Sequence, residues 1–240
     1  MKRIIFLVVR LIYRVPGWLL KIRYFNKHIE DISFEDRFQW TKQLIQKINQ
    51  KSRVRIHCYG LENLPKEQGY LMTPNHQGLF DALIMFETHE KPFKAVVKKE
   101  LTDVFVLKDV LKMIEFEAMD RENLRASMKV IKKVTKEMKE GRNYLIFPEG
   151  TRCRKQNQML DFKAGTFKTA IDAQKPIVPI ALIDCYKVVD NNTISPVDTQ
   201  IHYLQPLYYE DYKDMNSSEI AKCVQERIAE CIKENENKFN

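Results

Sequence analysis

The sequence predicts an α/β fold in which a mostly parallel central sheet is flanked by helices. Along residues 50–240, short apolar runs typical of strands alternate with stretches that have helical periodicity. The composition, 44% hydrophobic and 10% aromatic residues in a chain of 240, is sufficient for a large core. No repeat, low-complexity tract or linker divides residues 50–240, so we expect one domain with an N-terminal appendage.

The first half of the chain supplies the first elements of this sheet. A helical pattern covers residues 31–50, and an apolar run at 53–60 predicts a strand that ends at Gly60. A second strand is predicted at 69–74 and a helix at 81–90. These are followed by a strand at 93–97, a short helix around 102–113 and a strand near 114–119.

The second half begins with the longest helical pattern. Leu124, Met128, Ile131, Val134 and Met138 recur at helical spacing within residues 122–140, and a glycine at 141 ends the pattern. The remaining predictions are a buried strand at 143–147, a helix at 164–174, strands at 176–183 and 198–207, and a final helix at 217–235.

The N-terminal segment has a different character. Residues 1–29 contain seven lysines and arginines and no acid, so they account for seven of the eight net positive charges of the chain. Their longest uncharged run, residues 4–9, is far shorter than the roughly 18–20 residues of a transmembrane helix, and they lack a signal-peptide cleavage site. The pattern predicts a basic amphipathic helix at a membrane surface, interrupted at Pro16 and Gly17.

This prediction assigns residues 1–49 to membrane association and residues 50–240 to the α/β domain, and it implies that residues 1–25 can be removed without unfolding the protein. The alternative is an ordinary N-terminal helix packed on the domain. A nucleic-acid partner is disfavoured, because charge elsewhere is balanced and no groove-binding motif occurs. The five cysteines form neither a CxxC pair nor a cluster with histidine, which indicates reduced thiols in the cytosol and no metal site.

One short stretch carries the first candidate site residues. In "NHQGLFD", His76 and Asp81 are five positions apart, and on one continuous helix they would lie roughly 140° apart. A turn at Gly78, with Asp81 in the first turn of the next helix, would let the two side chains meet. The spacing therefore indicates either two unrelated residues or a histidine whose ring is oriented by a carboxylate.

Two further blocks follow predicted strands, at the sheet edge where functional loops gather in such folds. "MDREN" contributes Arg121, and "FPEGTRCR" contributes Glu149, Gly150, Thr151 and Arg152. Lys98 and Lys99 of "KKEL" add positive charge at another strand end. Glycine permits close approach of backbone amides, threonine offers a hydroxyl, and arginine binds phosphate with several donors. Each residue taken singly has an ordinary structural explanation, but together they suggest base chemistry on a phosphate-bearing substrate.

The order of these blocks resembles the glycerolipid acyltransferase superfamily, whose members include 1-acyl-sn-glycerol-3-phosphate acyltransferases. Residues 76–81 match its HX4D motif, residues 147–152 its FPEGTR block, and residues 119–121 and 176–180 resemble its two other blocks. The resemblance covers about residues 50–205. This resemblance implies a glycerol-3-phosphate acyltransferase-like fold. The N-terminal amphipathic segment of the chain is also similar to the membrane anchor of bacterial relatives. After "KKEL", residues 102–114 depart from the family's PFFG-like stretch, so acyl-chain preference is left open.

The resemblance also implies roles and partners. His76 is the general base and Asp81 its partner, while Lys98, Arg121, Gly150, Thr151 and Arg152 bind the substrate and Glu149 orders their loop. An acyl thioester, acyl-CoA or acyl-ACP, donates to a lysophospholipid hydroxyl at the cytoplasmic face of an anionic membrane, without metal or cofactor. The residues leave three alternatives: another acceptor such as glycerol 3-phosphate, a thioesterase that uses water, and a non-catalytic membrane-binding protein.

Overall fold

The protein is described by a computed structural model that covers residues 2–239, and its centre is a seven-stranded sheet. The sheet order is β1-β7-β6-β2-β5-β3-β4. The strands are β1 (Val54–Tyr59), β2 (Leu71–Pro74), β3 (Phe93–Lys98), β4 (Glu117–Met119), β5 (Asn143–Leu145), β6 (Ile177–Ile183) and β7 (Val197–Tyr203).

All neighbouring strands of this sheet are parallel except β6 and β7, which pair antiparallel. The prediction of a mostly parallel sheet is therefore confirmed. Since β2, β3, β4 and β5 run in one direction, the loops after their carboxyl ends leave the sheet at one edge. The candidate residues that follow these strands are thereby brought to the same side of the molecule.

Both faces of the sheet are covered, as expected for parallel strands. Strand β6 is apolar throughout because both of its faces are buried. Val178, Ile180 and Leu182 belong to the core on one face, whereas Ile177, Ala181 and Ile183 belong to the core on the other face. Because side chains alternate along a strand, a strand buried on both faces shows a continuous apolar run and not an alternating one.

Helices pack on both faces of the sheet. They are α1 (Lys2–Leu11), α2 (Val15–Lys27), α3 (Phe34–Ser52), α4 (Asp81–Thr88), α5 (Leu107–Met113), α6 (Leu124–Lys139), α7 (Lys168–Ala173), α8 (Tyr209–Tyr212) and α9 (Ser217–Asn235).

Two predicted helices are shorter than their patterns suggest. The helix predicted at 102–113 is a 3-10 turn followed by α5, and Val106 between them has φ 70°, which a β-branched residue adopts at a cost. The helix predicted at 164–174 begins as a 3-10 turn that contains Gly165 and continues as α7. Helix α8 was not predicted, because four residues are too few to show periodicity.

The N-terminal segment forms α1, a 3-10 turn at Ile12–Arg14, and α2. The interruption thus precedes Pro16, because proline is accommodated in the first turn of α2, where its missing N–H is not needed. No helix in residues 2–239 is both long and apolar enough to cross a bilayer.

This segment is packed on the domain by one of its faces. Arg3 is buried, and its guanidinium donates to the carbonyl oxygens of Ser52, Val188 and Ser195 at 2.5, 3.0 and 2.6 Å. Ile22 and Phe25 of α2 lie in the core, and the Phe25 ring contacts the Trp40 ring of α3 edge-on. These contacts argue against the expectation that residues 1–25 can be removed without unfolding the protein, since the deletion would take buried side chains with it.

Candidate active site

The loop between β2 and α4 brings His76 and Asp81 into contact, which is the second of the two alternatives that the spacing left open. Helix α4 begins at Asp81, and His76 Nδ1 lies 2.8 Å from Asp81 Oδ2. The main-chain N–H groups of Gln77 and Gly78 donate to the same oxygen at 2.6 and 2.9 Å. A carboxylate in this position accepts from Nδ1–H, so that Nε2 is the ring nitrogen with a free lone pair. His76 is thus oriented as a base.

The ring of His76 is fixed by its neighbours in the third sequence block. It stacks on Phe147, with ring centroids 4.1 Å apart and planes inclined by 29°. The His76 carbonyl accepts from the N–H of Cys153 at 2.9 Å. Two loops that follow neighbouring strands, β2 and β5, therefore hold the histidine from its backbone and from its ring face. A histidine held in this way loses little entropy when it meets a substrate.

Glu149 joins the same two loops from inside the protein. Its Oε1 accepts from the N–H of His76 at 2.7 Å, and its Oε2 accepts from the N–H of Leu160 at 2.9 Å. The carboxyl is buried, and this burial raises its pKa. Both oxygens are directed at main-chain donors, so the position of Glu149 supports the expected loop-ordering role rather than contact with substrate.

A second set of contacts, absent from the sequence-based prediction, holds Gln77 beside the histidine. The Gln77 side chain donates to Asn157 Oδ1 at 2.9 Å and accepts from the N–H of Cys185 at 2.9 Å. Asn157 in turn donates to Asp184 Oδ1 at 3.1 Å and accepts from the N–H of Asp184 at 2.9 Å. These amide side chains clamp the His76 loop to the loop after β6. No local pattern marks them, since the partners are far apart in sequence.

The predicted cations occupy different positions around the site. Lys98 is exposed and pairs with Glu100 at 2.5 Å, while Lys99 pairs with Asp120 at 3.2 Å. Arg152 is half-buried and Thr151 exposed, and within residues 2–239 neither side chain makes a hydrogen bond or ion pair. Arg121 is exposed in the loop between β4 and α6. Arg121 and Arg152 are therefore available for an anionic ligand, whereas the charge of Lys98 is partly neutralised by Glu100.

A cavity of about 220 Å³ is lined in part by Phe147, the same ring on which His76 stacks. Its walls are formed by apolar side chains of the sheet and of α6, among them Val96, Ile131 and Ile146. Arg121 and Lys163 also line it, together with the backbone of Gly150. One ring, Phe147, thus faces both His76 and this cavity. The arrangement suits a molecule that has an anionic group and an apolar part and that reacts close to the histidine.

Gly150 has a conformational and a steric reason to be glycine. Its φ of 74° lies in the left-handed region, and a Cβ built at this position would come within 2.9 Å of Lys163 Nζ and 3.0 Å of Lys163 Cε. Its N–H donates to the carbonyl of Phe147 at 3.1 Å. The sequence suggested that the glycine brings amides close to a ligand, but this amide closes a turn, and the space above it holds the Lys163 side chain.

With this geometry in place, the chain can be compared with known proteins. The family model described as Acyltransferase matches residues 55–183, more than half of the chain and all four sequence blocks. The chain belongs to the acyltransferase family. This confirms the resemblance found in the motifs, and it places the His76–Asp81 pair within the matched region.

Individual relatives of the family agree with this assignment. A Mycoplasma pneumoniae protein described as a probable 1-acyl-sn-glycerol-3-phosphate acyltransferase is 29% identical over 170 residues, 69% of this chain and 63% of that protein. The 1-acyl-sn-glycerol-3-phosphate acyltransferase of Borreliella burgdorferi is 29% identical over 174 residues, 70% of this chain and 69% of that protein. The matched part of the chain thus spans less than two thirds of the first relative and slightly more of the second.

A solved structure shows the same fold over the whole chain. The 1-acyl-sn-glycerophosphate (LPA) acyltransferase of Thermotoga maritima superposes with a TM-score of 0.75 and covers 100% of both chains. Its sequence identity is only 18%, so the likeness concerns the fold and not the substrate. It confirms the predicted α/β architecture with a mostly parallel sheet between helices.

Proposed function

We propose that this protein transfers an acyl chain from an acyl thioester, acyl-CoA or acyl-ACP, to the free hydroxyl of 1-acyl-sn-glycerol 3-phosphate, giving phosphatidic acid. The observation that carries the proposal is the His76–Asp81 pair at 2.8 Å, next to a cavity that has apolar walls and cationic residues at its rim. The descriptions of both relatives support the same activity.

The reaction follows from the orientation of the histidine. Nε2 of neutral His76 accepts the proton of the acceptor hydroxyl while the oxygen attacks the thioester carbonyl carbon. The tetrahedral intermediate collapses with cleavage of the C–S bond, and the imidazolium returns the proton to the departing thiolate. Asp81 remains ionised and stabilises the imidazolium. The acceptor oxygen is the nucleophile, so no acyl-enzyme forms.

The cations near this pair would bind the phosphate of the acceptor. Arg152 and Arg121 have guanidinium groups without an acidic hydrogen-bond partner in residues 2–239, and guanidinium groups form strong charge-assisted bonds with phosphate. Lys98 is a further candidate for phosphate binding, although its ion pair with Glu100 partly neutralises its charge. Thr151 and Gly150 lie in the same loop. Binding the phosphate holds the hydroxyl against His76, and this proximity is a large part of the rate advantage.

The N-terminal helices would hold this site at an anionic membrane, in a peripheral or monotopic manner at the cytoplasmic face. Seven cations lie in residues 1–29, and α1 exposes apolar side chains on the face opposite Arg3, including Ile5 and Val9 at 60% and 68% exposure. Such a surface binds lipid through its apolar side chains and through headgroup charge. Both the acceptor and the product reside in the bilayer.

An acyl-transfer assay on the purified protein tests the proposal. The donors are acyl-CoA and acyl-ACP, and the acceptors are 1-acyl-sn-glycerol 3-phosphate, glycerol 3-phosphate, other lysophospholipids and water. We expect 1-acyl-sn-glycerol 3-phosphate to react best. His76→Ala should lower kcat by at least about 100-fold while acceptor binding survives. Preference for water would identify a thioesterase, and absence of transfer with every pair would indicate a membrane-binding protein.

A further inference from the structure

A lysine outside the four sequence blocks lies beside the candidate active site. Lys163 follows the loop that contains Glu149 and Arg152, and its N–H donates to the carbonyl of Pro148 at 2.9 Å. The carbonyl of Lys163 accepts from the N–H of Thr166 at 3.0 Å, in the turn that precedes α7. Both backbone groups of this lysine are therefore hydrogen-bonded within the segment between β5 and α7.

The side chain of Lys163 extends across Gly150 towards the cavity. Its Cδ, Cε and Nζ lie 3.3, 3.0 and 2.9 Å from the position that a Cβ of Gly150 would occupy. A Cβ at position 150 would require the end of the lysine side chain to shift from this path. The glycine therefore permits the lysine stem to cross the loop, and it places an ammonium group at the wall that Arg121 and Phe147 also line.

The charge of Lys163 is not neutralised by the protein. Within residues 2–239 it forms no ion pair, whereas its neighbour Lys168 pairs with Asp172 at 3.5 Å. The second cation of the cavity, Arg121, also has no ion pair in these residues. Lys163 and Arg121 are both exposed and both line this cavity, so an anion that enters it can contact two cations.

We infer that Lys163 binds the phosphate of the acceptor in this cavity, together with Arg121; the inference rests on the proposed function. Phe147 then separates the phosphate from His76, and the glycerol backbone of the acceptor passes the edge of this ring to bring its hydroxyl to Nε2. The apolar walls contact the lipid part of the acceptor. Lys163 is thus a specificity-determining residue, since it distinguishes an acceptor with a phosphate from one without.

The test compares Lys163→Met with Lys168→Met. Methionine keeps an unbranched apolar stem over Gly150 and removes only the charge, and Lys168 is an exposed lysine of the same segment. Steady-state rates give KM for 1-acyl-sn-glycerol 3-phosphate and for the acyl donor. We expect Lys163→Met to raise the acceptor KM about 10- to 100-fold, the size of a lost charge-assisted bond, without changing the donor KM. Lys163→Arg should restore most of the affinity.

A binding measurement makes the result independent of turnover. Wild type and both variants are titrated with a short-chain 1-acyl-sn-glycerol 3-phosphate and with the corresponding monoacylglycerol, which lacks the phosphate. Lys163→Met should weaken the binding of 1-acyl-sn-glycerol 3-phosphate and leave the binding of the monoacylglycerol unchanged. The inference would be overturned if Lys163→Met and Lys168→Met bound 1-acyl-sn-glycerol 3-phosphate with equal affinity, or if Lys163→Met changed only the donor KM. It would also be overturned if the wild type bound both lipids with the same affinity. Failure of transfer together with selective phosphate binding would refute the proposed function and leave the role of Lys163 intact.

Discussion

At the scale of single residues, one carboxylate oxygen, Asp81 Oδ2, organises the turn that carries His76. It accepts from the His76 ring and from two main-chain N–H groups, so it fixes the imidazole and the turn that carries it. In the proposed reaction the charge of this carboxylate would also stabilise the imidazolium, so a structural and an electrostatic role of Asp81 can be tested separately.

Asp81→Asn separates these two roles. The amide keeps the size of the side chain, but it removes the charge and can present an N–H to Nδ1, which favours the tautomer whose Nε2 is protonated. We expect kcat to fall by about 100-fold or more, with a smaller change in acceptor KM. Asp31→Asn is the matched control, because Asp31 contacts the exposed His28 at 3.1 Å in another histidine–aspartate pair. A kcat close to wild type would show that the charge of Asp81 is unimportant.

His89 is a buried histidine that the chemistry does not use. Burial lowers its pKa to about 4, and its ring lies 2.8 Å from the Tyr70 hydroxyl and 2.6 Å from the Lys91 carbonyl. The carbonyl requires a proton on Nδ1, so Nε2 accepts from the tyrosine. The folded protein holds this ring neutral, whereas an unfolded chain protonates it near pH 6.5.

The stability of the protein should consequently fall as it is acidified from pH 7.5 to pH 5. In this range the unfolded state binds the proton and the folded state does not, because the pKa is lowered by folding. The loss attributable to His89 is about 2 kcal/mol in the free energy of unfolding, measured by urea denaturation at both pH values. His89→Gln should remove this part of the pH dependence, and His28→Gln should not. A slope unchanged by His89→Gln would contradict the assignment.

Among the elements, the turn after β5 depends on the contact between Gly150 and Lys163. Alanine at 150 has to adopt the left-handed region and to displace the lysine stem. We expect Gly150→Ala to destabilise the protein by more than about 1–2 kcal/mol, the cost of the backbone conformation alone. Urea denaturation of Gly150→Ala, Lys163→Ala and the double variant gives the coupling between the positions, and the double variant should be less destabilised than the sum of the single ones.

Gly141→Ala is the control for the backbone contribution. Gly141 has φ 92°, and a Cβ at this position would meet nothing within 4 Å. Its substitution should therefore show the conformational cost without the clash, and it should not couple to Lys163→Ala. Additive effects of Gly150→Ala and Lys163→Ala would mean that the lysine moves aside freely and that its path over the glycine is not constrained.

For the molecule as a whole, the N-terminal segment combines two opposite surfaces. The face of Arg3, Leu11, Ile22 and Phe25 is buried, whereas the face of Ile5, Val9 and Ile12 is exposed by 60% or more. Deletion of residues 1–25 would disturb both surfaces at once, so it cannot separate membrane binding from folding. Point substitutions can.

We expect the triple variant Ile5→Ser, Val9→Ser and Ile12→Ser to bind anionic vesicles weakly and to unfold at the same urea concentration as wild type. Exposed apolar side chains contribute to lipid insertion, a part of the affinity that high salt does not remove. Arg3→Met should lower the stability and leave vesicle binding intact. Three main-chain carbonyls lose their donors, so the free energy of unfolding falls, but the folded protein still floats with vesicles. Flotation of the triple variant at wild-type levels in high salt would refute the membrane role of this face.

Local patterns of the sequence predicted the architecture and the blocks that carry the candidate site. Apolar runs and helical spacing predicted the sheet with its flanking helices. The five-residue interval with Gly78 allowed a contact between His76 and Asp81, and the match to the HX4D motif implied it. Both signals lie in chain segments a few residues long. The tertiary structure alone decided the position of Lys163 over Gly150, the clamp between Gln77 and Asn157, and the burial of Arg3. The clamp and the contacts of Arg3 join polar side chains to partners on separate loops or elements, whereas Lys163 crosses a glycine of its own loop. Neither kind of contact leaves a periodicity in the sequence, because only the folded chain brings the partners together.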